Sequence, residues 1–473
     1  MDGIGYNLND AISDLYKKSK KDVPFYKKKL FIGLLIGGIA IIVALIIVLI
    51  IVLGKDSEER GRGKEFGEIN CGYEISDSDI NKKVKILGDE FELGVNDFDI
   101  IVNGEKIKYT KEYTFLIRGN NNIKFKLYSN LNMTNMFKNV YSLISISLIS
   151  TTNTPLLAMD NAFENCVQLK YFTINGFDLT KLTSLRKTFY NTAVDNINFE
   201  EFSSAKVEDM SYMFAYLNND HLNLSKFNTK YATNMSRMFY NSTNLKSIDL
   251  TNIKTDNVED MSGMFEYCEV LSDINLNFLE TSKVKNMSSM FKGCGSLYVM
   301  RFEFNTENVI DMSSMFESNN QVMSLDLSRL NTTNVKYMNN MFKGCYNALE
   351  IKVNGINTSS VEDFSYMFSE CSLIYSLDIS SFNTQKAKNM SHMFESCYSL
   401  PKIDFPQSFK TNLVLDMSYM LSNCYEASSL EINHFDTSNV QYMQGMFKGC
   451  GTIAYLPVDN FDTRNVKNMS ELI

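Results

Sequence analysis

The chain is poor in the side chains that most often carry catalysis and metal binding. It has no tryptophan, three histidines and five prolines among 473 residues. His221, His392 and His434 are far apart in the sequence, so we interpret each as a lone surface or loop residue. No nucleophile–base pair, local carboxylate pair, glycine-rich phosphate loop or metal-ligand spacing occurs either. We therefore expect no enzymatic activity, no cofactor and no metal site.

Positive charge is not in excess. The chain has 46 Lys and Arg against 55 Asp and Glu, a formal net charge of −9. The acidic excess is spread through the chain, without a basic patch that would attract phosphates. Nucleic acid is therefore not an expected partner.

One long uncharged stretch is present, at residues 30–53. These 24 residues are dominated by Leu, Ile and Val, and as a helix they would span about 36 Å, enough for a bilayer with some tilt. A cleavable signal peptide is the main rival, but it would have a shorter apolar core, a short basic lead and a small-residue cleavage site. The lead is 29 residues here. The sequence therefore predicts one transmembrane signal anchor.

Lysines are concentrated before this stretch, with seven in residues 1–29. After it, four basic residues are mixed with four acids up to Glu65. By the positive-inside rule, residues 1–29 form a cytoplasmic tail and the remainder lies outside the plasma membrane. Gly33 and Gly37 form a G-x-x-x-G pair, which would allow two spans to form a homodimer. The alternative, incidental small residues in an apolar run, is favoured.

The next segment changes in character. Residues 54–68 are rich in glycine and charge and are interpreted as a stalk. Residues 69–130 contain five short strand-like runs and the hairpin signal Asn103-Gly104. They predict a small all-β domain that caps the first turn of the repeat array beginning at residue 131, with a separate binding role as the alternative. Cys71 lies in this segment, either as an unpaired thiol or as a link between two chains.

A phenylalanine recurs at a fixed period from residue 131 to the end. The steps are 25, 26 or 27 residues, and a leucine fills one slot. A period of this length predicts a solenoid of about 13 units, each of which buries its apolar face against its neighbours. The slots are Phe137, Phe163, Phe189, Phe214, Phe239, Phe265, Phe291, Phe316, Phe342, Phe368, Phe394, Leu421 and Phe447.

Each unit contains two apolar patterns. Met261, Met264 and Phe265 lie at i, i+3 and i+4, the spacing of one face of a short helix. Asp or Asn precedes the first Met in most units, where its side chain would cap the helix. The second pattern, Leu271 to Leu276, predicts a turn and a short strand. The fold class expected from these patterns is an α/β repeat solenoid, leucine-rich-repeat-like, with one short helix and one short strand per turn.

The repeat resembles a known family. Residues 286–294 read Asn-Met-Ser-Ser-Met-Phe-Lys-Gly-Cys, with Leu297 three residues later. This segment is similar to the 26-residue surface-protein repeat of the BspA-like leucine-rich-repeat proteins, and the resemblance covers residues 131–473. It implies a role in adhesion and ligand binding at the cell surface or in the secreted state, without catalytic residues.

Eight of the nine cysteines share one slot, three residues after the repeat phenylalanine. A disulfide ladder and a metal ladder are alternatives to the simplest interpretation, a small buried side chain. Helices of neighbouring units would lie about 8–10 Å apart, too far for a disulfide, so free buried thiols are expected. The slot is occupied by Cys166, Cys268, Cys294, Cys345, Cys371, Cys397, Cys424 and Cys450, and elsewhere by Val140, Leu217, Ser242 and Asn319.

The candidate binding residues lie on the predicted strands. One outward residue separates the last two strand hydrophobics of each unit, and such residues would form columns across neighbouring strands. We expect this face to bind an extracellular protein or glycan, so that the chain acts in adhesion or ligand binding. The alternative is a structural surface coat or spacer without a specific ligand, and the short tail argues against a signalling receptor. The residues are Asp249, Arg301, Asp326, Lys352, Asp378, Asp404 and Glu431, with Tyr298 and Tyr375 beside them.

Overall fold

The computed structural model describes residues 41–42, 64–92, 98–301 and 304–473. The chain divides into two compact units, Met1–Lys64 and Glu65–Ile473. The predicted tail and most of the predicted span and stalk lie outside the described residues. Among the residues that are described, no helix has both the length and the apolar character needed to cross a membrane.

The second unit begins with an antiparallel sheet. β1 (Gly67–Ile75) pairs with β6 (Gly119–Leu127), which pairs with β3 (Phe98–Val102), and β3 pairs with β4 (Glu105–Ile107). Asn103 and Gly104 join the last two strands with φ of 51° and 83°, which confirms the predicted hairpin turn. A smaller antiparallel pair is formed by β2 (Lys83–Lys85) and β5 (Glu112–Thr114).

The same sheet continues into the repeats. The other edge of β1 pairs antiparallel with β8 (Leu143–Ser150), and β8 pairs in parallel with β10 (Tyr171–Asn175). β10 in turn pairs with β11 (Asn196–Ile197), and nearby β7 (Leu131–Asn132) pairs with β9 (Leu156–Ala158). β1 therefore covers the strand edge that the first repeats would otherwise expose.

Later repeats contribute short strands that pair in parallel, one repeat apart in register. They are interrupted by two short 3₁₀ helices, Phe199–Ser204 and Leu276–Phe278. The strands form three separate sheets: β12 (His221–Asn223), β13 (Ser247–Asp249) and β14 (Asp273–Ile274); β15 (Val299–Arg301), β16 (Ser324–Asp326) and β17 (Glu350–Lys352); and β18 (Lys402–Ile403) with β19 (Ser429–Leu430).

The predicted helix of each repeat is wrong. In the segment Met261–Cys268, the N–H of Met264 donates to the carbonyl of Met261 at 3.2 Å, as in a β-turn. The N–H groups of Met261, Gly263 and Phe265 donate instead to carbonyls of the next repeat, 25 residues on. The segment is therefore a ladder of β-turns between repeats, and the unit is a nearly all-β solenoid rather than an α/β repeat.

Backbone dihedrals explain why no helix forms. Gly263 and Tyr267 have φ of 58° and 60°, and the residues two before and two after the slot residue have positive φ in every repeat from Phe137 to Phe447. A right-handed helix cannot contain a left-handed residue every four positions. Consecutive β-turns with a left-handed third residue also point side chains at i, i+3 and i+4 inward. The apolar spacing alone therefore did not distinguish the two structures.

The core is a set of side-chain ladders that run the length of the solenoid. Eleven phenylalanine rings, from Phe137 to Phe394, stack at centroid distances of 5.3–6.1 Å and interplanar angles of 3–14°. The slot phenylalanines are at most 1% exposed. A threonine ladder runs beside them, in which Thr437 Oγ1 donates to the carbonyl of Asp462 and accepts from its N–H.

All nine cysteines are free thiols in the structure, as expected for the repeat slot. Each of the eight in the slot donates to the carbonyl of the previous repeat's slot residue, for example Cys294 to Phe265 at 3.1 Å. Ser242 and Asn319 make the same bond from the same slot. Cys71 is 1% exposed in the middle of β1, so folding leaves its sulfur little access to a second chain.

Candidate ligand-binding face

The structure places the predicted binding residues in three groups rather than one column. Arg301, Asp326 and Lys352 are direct partners on β15, β16 and β17. Asp378 lies two residues after Ser376, which forms a parallel bridge with Glu350. These four positions share one surface, which we call the central face. Asp249 lies on β13 in a separate sheet, and Asp404 and Glu431 follow the third pair, β18 and β19.

An apolar stripe crosses the central face. Tyr298, Met323, Leu349 and Tyr375 occupy the same position in four consecutive repeats, with exposed fractions of 56%, 51%, 39% and 60%. Met323 N–H donates to the carbonyl of Tyr298, and Leu349 N–H to that of Met323, at 2.9 and 3.0 Å. The structure thus brings both predicted tyrosines into one row with two further apolar residues.

Sequence reasoning missed Met323 and Leu349. Both come directly after a buried residue, Val322 and Ala348, and lie two residues before the buried strand residues Leu325 and Ile351. Alternation along the strand would assign both positions to the core, so the apolar pattern did not mark them as surface residues.

Several carboxylates of the face have structural partners. Asp249 accepts from the N–H of Thr251, Asp326 from that of Ser328 and Asp378 from that of Ser380, at 3.0–3.1 Å. Hydrogen bonds from Thr251 hold the pKa of Asp249 below its usual range, and bonds from Ser380 do the same for Asp378. Such bonds fix the turn after the strand, so these acids stabilise the fold whether or not they contact a ligand.

Two lysines of these strands are paired with carboxylates at the surface. Lys352 Nζ lies 3.3 Å from the Glu350 carboxylate on the same strand, and Lys402 Nζ lies 2.6 Å from Asp404. Along the central face the sign alternates from Arg301 to Asp378.

A shallow depression of about 290 Å³ lies beyond the central face. It is lined by Asp404, Phe405, Gln407, Glu431, Asn433 and His434. The buried Nε2 atom of His434 has no hydrogen-bond partner. The described residues contain no cluster of three or more His, Cys, Asp or Glu suited to a metal ion.

The β-turn side of the solenoid carries a second aromatic array, also missed from the sequence. Tyr216 and Tyr240 contact at a centroid distance of 5.5 Å, and the His392 ring stacks between Tyr366 and Tyr419 at 4.2 and 4.9 Å. These rings are partly buried against one another, whereas the stripe residues project from the central face. The stripe residues of the central face are therefore more exposed than the rings of this array.

Buried acids on the β-turn side are paired with bases. Glu266 is 7% exposed, and its Oε2 lies 3.3 Å from Nε of Arg237. Burial raises the pKa of Glu266, although the nearby Arg237 and Lys292 charges oppose the shift. This side is therefore largely satisfied within the chain.

The repeat identifies the family. No curated protein and no solved structure matches the chain at a significant level. One family model, described as "Mycoplasma protein of unknown function, DUF285", matches residues 157–278, 267–373, 323–427 and 401–473. These matches begin in the second repeat and continue to the last residue, over the same β-solenoid whose ladders are described above. The finer resemblance to BspA-like proteins stays a prediction. The chain is a repeat solenoid of about 26-residue turns that belongs to the DUF285 family.

Proposed function

We propose that the solenoid is displayed outside the cell and binds a macromolecular ligand, a protein or a glycan, across the central face. The observation that carries the proposal is the stripe Tyr298, Met323, Leu349 and Tyr375. Four large apolar side chains at 39–60% exposure lie on consecutive repeats. Contiguous exposed apolar surface flanked by polar residues is typical of interaction sites.

The repeat architecture suits an extended ligand, because equivalent side chains line up across repeats and allow many weak contacts to add. Charged residues of both signs beside the stripe would supply orientation and discrimination. The aromatic residues at each end would supply much of the buried area.

Display outside the cell is supported by the sequence. The uncharged stretch at residues 30–53 comes after seven lysines, and the repeats lie C-terminal to it. Protease added to intact cells is expected to degrade the repeats and to spare residues 1–29. Full protection of the repeats would contradict this placement.

The binding face is tested with paired variants. Met323→Glu combined with Leu349→Glu places two charges in the stripe without touching the core. The matched control is Leu413→Glu with Leu415→Glu, because these leucines are 46% and 43% exposed away from the stripe. Both proteins are screened against host proteins, glycan arrays and whole cells.

We expect the stripe variant to lose binding and the control to retain it, with equal melting temperatures. Equal loss in both variants would remove the central face as the site. Absence of binding by the unmodified protein to every probe would favour the spacer alternative, which the structural use of Asp249, Asp326 and Asp378 also suits.

A further inference from the structure

The central face has a self-complementary order. Along the solenoid the stripe reads Tyr298, Met323, Leu349, Tyr375, with an aromatic residue at each end and an aliphatic residue at each inner position. The charged column beside it alternates in sign: Arg301, Asp326, Lys352, Asp378.

A twofold axis in the plane of this face, parallel to the strands, would map the face onto itself. The axis passes between β16 and β17, so it reverses the order of the repeats and keeps each position along the strand. Tyr298 then faces Tyr375 of the second copy, and Met323 faces Leu349. In the charged column, each basic position faces an acidic one: that of Arg301 faces Asp378, and that of Lys352 faces Asp326.

The match is limited to these four repeats. The repeat before has Ser272 at the stripe position, and the repeat after has Pro401, both exposed. Neither continues the apolar row. Two residues before the charged column on these strands, Ser324 of one copy would face Glu350 of the second copy. A hydroxyl donor would then lie opposite a carboxylate acceptor. A twofold interface needs this kind of self-complementary surface, because each residue meets its partner twice.

We propose that the occupant of the central face is a second copy of this chain, bound with the repeats antiparallel. The inference rests on the proposed function and names its partner, which makes the adhesion homophilic. Apolar side chains at the centre and opposite charges in the flanking column are the arrangement expected of a specific interface.

Charge exchange tests the register. The full chain is prepared as Lys352→Glu and, separately, as Asp326→Lys, and self-association is measured by sedimentation. Each variant alone meets a like charge at two contacts, so its self-association is expected to weaken by at least about tenfold. An equimolar mixture restores opposite charges at both contacts and is expected to associate as tightly as the unmodified chain.

Two further variants protect the test against loss of folding. The melting temperature of Asp326→Lys shows whether loss of the acceptor for the Ser328 N–H unfolds the turn, and Asp326→Asn, which keeps an acceptor, is its control. Tyr298→Cys and Tyr375→Cys are crosslinked with a short bismaleimide. Efficient crosslinking is expected in their mixture and not within either variant alone, because position 298 of one copy lies opposite position 375 of the second. The native cysteines should react little, since eight are buried and Cys450 is partly buried.

A mixture that fails to recover association, or crosslinking within each single variant, would overturn the antiparallel pairing. A monomeric unmodified chain would also overturn it. If such a chain still binds another ligand that Met323→Glu with Leu349→Glu abolishes, the proposed function stands without the homophilic partner.

Discussion

At the scale of single residues, the repeat cysteine acts as a hydrogen-bond donor. Burial raises the pKa of the Cys345 and Cys397 thiols to about 12, so each remains protonated. Each donates to a slot carbonyl of the previous repeat at 3.2–3.3 Å. Where Leu217 occupies the slot, the carbonyl of Phe189 is bonded by Thr192 of its own repeat instead. Where Cys, Ser or Asn occupies the slot, its side chain therefore acts as a hydrogen-bond donor between repeats.

A series at Cys371 tests this role. Its thiol donates to the Phe342 carbonyl at 3.3 Å, and the side chain is fully buried. Cys371→Ala removes the side-chain donor from that carbonyl, which keeps its bond from the Cys345 N–H, and should lower the free energy of unfolding by about 0.5–1.5 kcal/mol. Cys371→Ser keeps a donor, as Ser242 does naturally, and should cost less. Urea denaturation of both variants gives the comparison, and a serine variant less stable than the alanine variant would contradict the donor role.

The carboxylates that accept hydrogen bonds in the turns should make the stability of the chain depend on pH. Asp378 has a lowered pKa because of its bonds from Ser380, so its contribution to stability is present above about pH 4, the ordinary pKa of Asp. That contribution is lost as the pH falls through the lowered pKa of the folded state. Asp378→Asn retains an acceptor, and its stability should depend less on pH than that of the unmodified chain.

Melting temperatures from pH 7 to pH 3 measure the difference. At pH 7 the Asn variant should lie within about 0.5 kcal/mol of the unmodified chain, because the site is at the surface. Asp378→Ala, which lacks the acceptor, is the control and should be less stable at neutral pH. Parallel pH profiles for the unmodified and Asn proteins would show that the carboxylate has no such role.

At the scale of elements, the repeat segment Met287–Cys294 shows which structural features could be predicted from the sequence and which could not. Its period, its inward residues and its neighbours in the next repeat could be predicted from apolar spacing alone. The predicted capping hydrogen bond is present, since the side chain of Asn286 accepts from the N–H of Ser288. The element that it caps is a β-turn, however, and not a helix. Left-handed φ at Ser289 is invisible in the sequence because Asn, Tyr, Ser, Lys and Gly all occupy that column.

The binding face was predicted incompletely for a related reason. Tyr298 and Tyr375 were recognised as surface residues, but their row with Met323 and Leu349 depends on register between repeats. The step between repeats varies from 25 to 27 residues, and loops accommodate the extra residues. The sequence therefore does not show at which repeats the pairing between neighbouring strands is interrupted. The expected single column from Asp249 to Glu431 assumed an unbroken sheet.

Substitution of Ser289 distinguishes the β-turn ladder from a helix. Its φ is 55°, a conformation that glycine adopts freely and a β-branched residue strongly resists. Ser289→Gly should leave stability unchanged or raise it by up to about 1 kcal/mol, whereas Ser289→Val should lower it by about 1–2 kcal/mol. In a helix interior the order would be reversed, because glycine is the poorer helix former. Chemical denaturation of the two variants gives the sign directly.

At the scale of the whole molecule, stability is a sum over neighbouring repeats. The buried residues from Ile69 to Phe447 form one continuous cluster. Each repeat nevertheless contacts chiefly the repeats on either side, through carbonyls 25 residues away and through stacked rings such as Phe214 and Phe239, 6.1 Å apart. A local defect should therefore divide the array instead of unfolding it uniformly.

Phe291→Ala places such a defect near the middle of the solenoid. The ring stacks on Phe265 at 5.7 Å and on Phe316 at 6.0 Å and is fully buried. Its truncation should cost about 3–5 kcal/mol, enough to open the adjoining repeats while the sheet around β1 and β8 stays folded. Phe291→Leu is the matched control, because Leu421 fills the same slot naturally, and it should cost less.

Amide hydrogen exchange should show lost protection from about residue 262 to 342 and retained protection in β1, β6 and β8. Uniform loss along the chain would mean that the solenoid unfolds as one cooperative unit, and unchanged protection around residue 291 would show that the ring ladder contributes little to holding the repeats together.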